Sequence, residues 1–165
     1  MKNYVTEFIG TFFLVLTIGL TVLEGTEFAP LAIGAALMVM VYMGGHISGA
    51  HYNPAVTLAV FMRGKIDAGS VAPYMASQLA GAFLATVIVQ LILGSTFAPA
   101  PSAEATIAAA LLVEVLYTFA LALVILNVST ADSTSGNSFY GLAIGFTVAA
   151  GAFAGGPVSG GAFNP

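Results

Sequence analysis

The chain has 165 residues, of which 59% are hydrophobic and 6% are charged, and it contains no cysteine. A soluble domain carries about 25% charged residues, so this chain lacks the polar side chains needed to cover a surface exposed to water. Its three Lys and Arg residues exclude a basic nucleic-acid interface, and the lack of cysteine excludes a cysteine-based metal or redox site. The composition therefore predicts a protein of the lipid bilayer.

Apolar runs separated by Gly, Pro and polar clusters predict five membrane helices, because one span needs about 20 apolar residues. The predicted helices cover residues 4–23, 29–46, 71–93, 105–128 and 138–154. The first run is interpreted as a retained span rather than a cleaved signal, since no small-x-small cleavage site follows it. Two further segments, 47–62 and 155–165, are rich in Gly yet apolar, which is not typical of solvated loops.

One crossing per helix separates the charges into two groups. Basic residues fall at one end of the bundle and glutamates at the other: Lys2, Arg63 and Lys65 against Glu24, Glu27 and Glu104. The positive-inside rule then predicts a cytoplasmic N-terminus in a multi-pass protein of the plasma (inner) membrane.

The sequence contains an internal repeat. A Glu-x-x-x-Thr-Phe motif occurs at residues 7–12 and 114–119, and a Ser-Gly-x-x-aromatic-Asn-Pro motif ends at Pro54 and again at Pro165. Three spans plus a partial re-entrant segment make an odd-numbered unit, so the second copy enters the membrane with the opposite topology. We therefore expect one domain over 1–165, with a first repeat at about 1–95 and an incomplete second repeat at about 103–165.

With these motifs the chain resembles the major intrinsic protein family, the aquaporins and glycerol facilitators. The resemblance covers essentially all 165 residues and depends on Gly45-His-Ile-Ser-Gly-Ala-His-Tyr-Asn-Pro-Ala-Val-Thr57, on Gln78-Leu-Ala-Gly81 and on the second Asn-Pro. It implies an all-α membrane fold, an aquaporin-like inverted repeat of membrane helices with re-entrant half-helices. In the family the second motif continues Asn-Pro-Ala-Arg and a sixth span follows. Because this sequence stops at Pro165, we expect a C-terminally truncated chain with five full spans, which would not close a normal pore by itself.

Each Asn-Pro is a helix start, since Asn is a favoured N-cap and Pro fits the first helical position. The run Pro54–Met62 has nine residues, about 13 Å of helix, which spans half of a hydrocarbon core about 30 Å thick. The resemblance implies that the second motif enters from the other face, so that two positive helix ends meet at mid-membrane.

The expected pore motif comprises Asn53, Pro54, Ala55, Asn164 and Pro165. The asparagine amides would donate hydrogen bonds to a passing oxygen, and non-helical backbone at 47–52 and 158–163 would present carbonyls along the lumen. Such a path admits water and small neutral solutes and repels cations and protons.

Glu7 and Glu114 are carboxylates within apolar helices, a placement that by default suggests a proton relay. The resemblance implies instead that they accept hydrogen bonds from the re-entrant segments. We expect His46 to support the loop as well, and no metal site, because His46 and His51 have no third ligand nearby. The open alternative is an inverted-repeat transporter or ion channel in which Glu7 and Glu114 carry protons or cations.

In the resembling family the narrowest ring takes residues at fixed distances from the two asparagines, which here are Ile33, Ala152 and Gly161. These small or apolar residues predict a wide constriction that passes glycerol-like solutes along with water. The resemblance also implies a homotetramer in the lipid bilayer and no cofactor. An intramembrane enzyme is not expected, because no acidic residue is placed to orient His46 or His51 as a base.

Overall fold

The computed structural model describes residues 1–165 and contains six α-helices and one short 3-10 turn. Five of the helices are long and apolar enough to cross a membrane, which confirms the all-α membrane fold. The helices are α1 (Lys2–Leu23), α2 (Ala29–Ser48), α3 (Pro54–Met62), α4 (Ala68–Leu93), α5 (Ile107–Thr130) and α6 (Tyr140–Ser159).

The short helix α3 begins and ends where the sequence predicts. The side-chain oxygen of Asn53 caps it by accepting from Ala55 N at 2.8 Å and Val56 N at 3.4 Å. Pro54 occupies its first position, where a missing N–H costs no hydrogen bond. At nine residues, α3 is a half-helix.

The ends of α2 and α6 differ from the prediction. Both helices run further than expected, to Ser48 and Ser159, so the non-helical segments 47–52 and 158–163 begin only at Gly49 and Gly160. These two glycines have φ angles of 91° and 92°, the left-handed conformation that ends a helix. Helix α6 therefore continues through Pro157, beyond the predicted end at residue 154.

Glycines set the closest helix contacts. Helix α1 packs on α4 at Gly81, where a Cβ would overlap the carbonyl oxygen of Phe8. Helix α2 packs on α6 at Gly34, where a Cβ would lie 2.6 Å from the Cβ of Ala149. Such close approach of backbones is how small residues join helices in lipid.

The bundle has two ends that we name by their charges. The basic end carries the start of α1 and the connector from α3 to α4, with Lys2, Arg63 and Lys65. The acidic end carries the connector from α1 to α2 and the connector from α4 to α5, residues 94–106, with Glu24, Glu27 and Glu104. Large apolar side chains are exposed along the outside of the helices, as in Phe83 on α4 and Leu111 on α5.

Candidate functional site

A five-residue segment, the first loop (49–53), joins α2 to α3. Ala50 and Tyr52 have φ angles of 52° and 50°, which is uncommon for residues with a Cβ and needs support from the surroundings. The first loop is buried over most of its length, because all its residues except Gly49 are at most 5% exposed.

The carboxylate of Glu7 supplies that support. Its Oε1 accepts from Ser48 Oγ at 2.6 Å and from His51 N at 3.0 Å. Its Oε2 accepts from Tyr52 N at 2.7 Å and from the side-chain amide of Gln78 at 2.8 Å. Glu7 has no exposed surface, so four hydrogen bonds satisfy a carboxylate that lies wholly inside the protein.

A second set of contacts joins the first loop to α3 and α4. Gln78 Nε2 also donates to Thr57 Oγ1 at 2.9 Å, and Thr57 Oγ1 donates to the carbonyl of Asn53 at 3.0 Å. Nδ1 of His51 lies 3.2 Å from the same Thr57 hydroxyl. On the other side, the Tyr74 hydroxyl donates to the carbonyl of Ser48 at 2.8 Å. Both ends of the loop are therefore held by side chains as well as by the helices.

The histidine that contacts the first loop is not the one expected from the sequence, which was His46. His46 lies exposed in the last turn of α2 and makes no side-chain hydrogen bond, whereas His51 is buried within the first loop and bonds to Thr57. The position of His51 in the sequence, two residues before Asn53 and inside the segment that needs support, was the signal that could have predicted this role.

The second loop (160–164) repeats this arrangement after α6. Oε1 of Glu114 accepts from Ser159 Oγ at 2.6 Å and from Ala162 N at 3.1 Å, and Oε2 accepts from Phe163 N at 2.7 Å. Gly160, Gly161 and Phe163 have positive φ angles. Glu114 is half-buried.

The two loops meet through reciprocal hydrogen bonds. Asn53 Nδ2 donates to the carbonyl of Phe163 at 2.7 Å, and Asn164 Nδ2 donates to the carbonyl of Tyr52 at 3.1 Å. The asparagine of each repeat is thus bonded to the backbone that precedes the asparagine of the other.

Aromatic residues before the asparagines fill the space behind the loops, a role that sequence reasoning missed. The Tyr52 ring lies against Gly10 and Gly44, where a Cβ would overlap it, and its hydroxyl donates to Met40 O at 2.9 Å. The Phe163 ring packs against Tyr117 at 5.2 Å between ring centroids. The aromatic residue at the same place in both motifs was the available signal.

A cavity of about 700 Å³ runs beside the meeting point of the loops. Four residues of the expected pore motif line it, namely Asn53, Pro54, Asn164 and Pro165, and Ala55 does not. All three residues expected at the constriction line it as well: Ile33, Ala152 and Gly161. Two of these are neighbours, because a Cβ on Gly161 would lie 3.6 Å from the Cα of Ala152. Glu7 and Glu114 are not among the lining residues.

The fold is that of a known channel. It matches the X-ray structure of the aquaglyceroporin from Plasmodium falciparum with a TM-score of 0.86, over 99% of this chain and 76% of that one. The sequence identity in that comparison is 24%, so this likeness concerns the fold alone.

Sequence comparisons extend the similarity. The chain is 38% identical to "Aquaporin NIP1-4" of Oryza sativa subsp. japonica over its whole length and 63% of that protein. It is 36% identical to "Glycerol uptake facilitator protein-like 6" of Lactiplantibacillus plantarum, of which it covers 80%. The chain thus spans less than two thirds of the plant relatives that it matches. The family model described as "Major intrinsic protein" matches residues 1–165. The chain therefore belongs to the major intrinsic protein family, whose members are multi-pass membrane channels and not enzymes.

Proposed function

We propose that this chain forms the permeation path of a passive channel for water and small uncharged solutes of the glycerol type. The observation that carries the proposal is the reciprocal pair of hydrogen bonds, Asn53 to Phe163 O and Asn164 to Tyr52 O, beside the cavity. These bonds bring the two Asn-Pro motifs together next to an open space.

The asparagine geometry explains selection for neutral solutes. Each side-chain amide has two N–H donors, and one of them is used by the carbonyl of the opposite loop. The second N–H of each asparagine is left to donate to an oxygen atom in the cavity. At Asn53 this donor stands at the N-terminus of α3, whose dipole adds positive potential. A cation is repelled there, and a water oxygen that accepts hydrogen bonds is oriented against proton hopping.

We assign a positioning role to Glu7 and Glu114. Both Glu7 oxygens are occupied by donors, two on each, and neither glutamate lines the cavity. A carboxylate that carries protons or cations needs contact with the transported ion. The alternative function as a transporter or ion channel is therefore less well supported than the passive channel.

The residues at the expected constriction favour a wide path. Ile33, Ala152 and Gly161 line the cavity and none of them is large and polar. A ring of this kind passes a molecule of the size of glycerol, and a relative 36% identical carries the name of a glycerol uptake facilitator. We therefore place glycerol-like polyols among the solutes.

Membrane placement completes the proposal. The basic end, with Lys2, Arg63 and Lys65, faces the cytoplasm by the positive-inside rule, which puts the N-terminus inside. The plasma (inner) membrane is the membrane that we propose. A homotetramer with a pore in each subunit suits the family and leaves the apolar helix faces to lipid and neighbouring subunits.

Flux in proteoliposomes tests the function. The protein encoded by the gene that contains residues 1–165 is reconstituted into liposomes. Light scattering then follows the shrinkage of the liposomes in an impermeant osmolyte and their re-swelling in glycerol. We expect rapid shrinkage and re-swelling, both independent of pH gradient and voltage. Flux that depends on either gradient would favour the transporter. Strong water flow without re-swelling would reject the wide constriction, and empty liposomes provide the control.

A further inference from the structure

We infer that Tyr42, on α2, is a positioning residue that sets the position of α6 along α2 and thereby shapes the constriction of the pore. The inference rests on the proposed function, because α2 carries Ile33 and α6 carries Ala152, two of the residues expected at the constriction. It assigns part of the solute selection to a side chain that does not line the cavity.

The start of α6 has no cap from its own N-terminal residue. Phe139 makes no side-chain capping hydrogen bond, whereas Asn53 and Thr106 cap α3 and α5 with their side chains. The first N–H groups of a helix have no partner within that helix. Here one partner comes from α2, since Leu142 N donates to the hydroxyl oxygen of Tyr42 at 3.1 Å. Tyr42 therefore caps α6 from another helix.

The same hydroxyl group also holds the connector that precedes α6. It donates to the carbonyl of Ser138 at 3.1 Å. A hydroxyl group can donate one hydrogen bond while it accepts another, so both functions of Tyr42 act on the start of α6. A displacement of α6 along α2 weakens both hydrogen bonds together.

The ring of Tyr42 lies on a glycine of α6. A Cβ on Gly141 would lie 2.9 Å from two ring carbons of Tyr42. Reciprocally, a Cβ on Gly45 of α2 would lie 3.2 Å from the ring of Tyr140 on α6. The two rings meet edge to face with 5.1 Å between their centroids. Each helix thus presents a tyrosine to a glycine of the other, and this arrangement fits at one position of α6 along α2.

Farther from the basic end, α2 and α6 approach each other through small residues. A Cβ on Gly145 would overlap the carbonyl oxygen of Gly34, and Gly34 also faces Ala149. Backbone contact of this kind includes no hydrogen bond, and the bond from Leu142 N to the Tyr42 hydroxyl is the only one between the two helices. The directional contact that sets their relative position is therefore at Tyr42.

The constriction lies beside this small-residue contact. Ile33 directly precedes Gly34 on α2. Ala152 lies three residues after Ala149 on α6, which is about one helical turn. A displacement of α6 therefore moves Ala152 relative to Ile33, and one wall of the constriction moves with it.

Glycerol responds to such a displacement more than water does. Glycerol is the wider molecule, so a displaced wall lowers its rate of passage further than the rate of water. The ratio of the two rates does not depend on the number of folded channels, because both rates scale with that number. A purely structural role of Tyr42 would lower both rates equally and leave the ratio unchanged.

Removal of the Tyr42 hydroxyl tests the inference. The protein encoded by the gene that contains residues 1–165 is reconstituted into liposomes, and water and glycerol rates are measured for wild type, Tyr42→Phe and Tyr140→Phe. Tyr42→Phe removes the hydroxyl group and keeps the ring on Gly141. Tyr140→Phe is the matched control, because it removes the same group from the neighbouring ring, whose hydroxyl makes no hydrogen bond. We expect Tyr42→Phe to lower the glycerol-to-water ratio about threefold, with the control unchanged.

A second variant displaces the hydroxyl without removing it. Gly141→Ala adds a methyl group against the ring of Tyr42, so the glycerol-to-water ratio should fall as well. Gly69→Ala is its control, since nothing lies within 4 Å of that Cβ position. In the double variant with Tyr42→Phe the ratio should fall no further, because both changes act on the same hydrogen bonds. Independent falls that multiply in the double variant would contradict the inference.

Amide hydrogen exchange tests the cap itself. The N–H of Leu142 loses its acceptor in Tyr42→Phe, so we expect peptides that contain Leu142 to exchange faster than in wild type and in Tyr140→Phe. Unchanged exchange at Leu142 would overturn the cap and the inference with it.

The outcomes separate the two proposals. Wild type without water or glycerol flux overturns the proposed function and this inference together. Wild type that conducts, with equal glycerol-to-water ratios in Tyr42→Phe and Tyr140→Phe, overturns the inference alone and leaves the channel function in place.

Discussion

The two loops are built on one plan, and the first has one further contact, from α4. In each, a glutamate near the start of a membrane helix accepts from a serine hydroxyl and from the two backbone amides three and four residues after that serine. Glu7 has a fourth donor in Gln78 and is fully buried, whereas Glu114 has three donors and is half-buried. Three donors at fixed spacing are thus common to both halves, and the side chain of Gln78 adds rigidity to the first.

The side chains that pack behind the two loops differ in size. The larger aromatic residue, Tyr52, faces Gly10 in α1, and the smaller one, Phe163, faces Tyr117 in α5. Gly10 and Tyr117 occupy the same place in the two repeats. Tyr52 thus has a glycine as its neighbour and Phe163 has an aromatic ring, and both spaces are filled at the density of a protein interior.

The largest expected effect comes from neutralising the glutamates. Glu7→Gln replaces one acceptor oxygen by a donor that faces other donors, so buried N–H or O–H groups lose their partner. We expect a loss of about 3 kcal/mol in unfolding free energy and loss of glycerol flux, measured by denaturation in detergent and by re-swelling. Glu114→Gln should act in the same direction, because a serine hydroxyl and two backbone amides lose the same kind of acceptor. An unchanged unfolding free energy in either variant would contradict the support that the two glutamates give to the loops.

A methyl group behind the first loop should have an intermediate effect. Gly10→Ala places a Cβ within the ring of Tyr52, which backbone on both sides confines. We expect a loss of about 2 kcal/mol, measured as a lower midpoint of thermal unfolding. Gly69→Ala is the matched control, since nothing lies within 4 Å of its Cβ position, and it should be neutral or slightly stabilising. Equal midpoints for the two variants would show that the Tyr52 site tolerates a larger neighbour.

The smallest effect should come from removing the fourth donor to Glu7. Gln78→Met keeps the side-chain length and removes the fourth donor to Glu7 and the bond to Thr57. We expect a loss of about 1 kcal/mol with glycerol flux retained, because three donors still hold the carboxylate. Complete loss of glycerol flux in a folded Gln78→Met variant would indicate that Gln78 takes part directly in permeation. That result would contradict the view that Gln78 only helps to position Glu7 and the first loop.

Local signals in the sequence predicted much of the fold. Apolar run length located the five spans, and Asn53 with Pro54 predicted the start of α3, because caps are properties of neighbouring residues. The predicted end of α6 at residue 154 was wrong, because the helix continues through Pro157 and ends at Gly160.

The site was less predictable, because its contacts cross long distances in the chain. Ala50, Tyr52 and Phe163 adopt left-handed backbone conformations that no local preference favours. The amides of Tyr52 and Phe163 donate to glutamates more than 40 residues away. The burial of His51, where only His46 was expected to support the loop, has the same origin. A histidine in the last turn of a helix and one in the adjacent loop differ only in what surrounds them.

Because of the crossed hydrogen bonds between the loops, each repeat supplies the hydrogen-bond acceptor that the asparagine of the other repeat needs. Asn53 finds its acceptor on the backbone of the second half, and Asn164 finds its acceptor on the first. A half inserted alone would leave an amide donor and a carbonyl unpaired at mid-membrane, where unpaired groups are costly. The two loops can therefore pair only after both halves have entered the bilayer, and a change that removes either asparagine also leaves a carbonyl of the other loop without its donor.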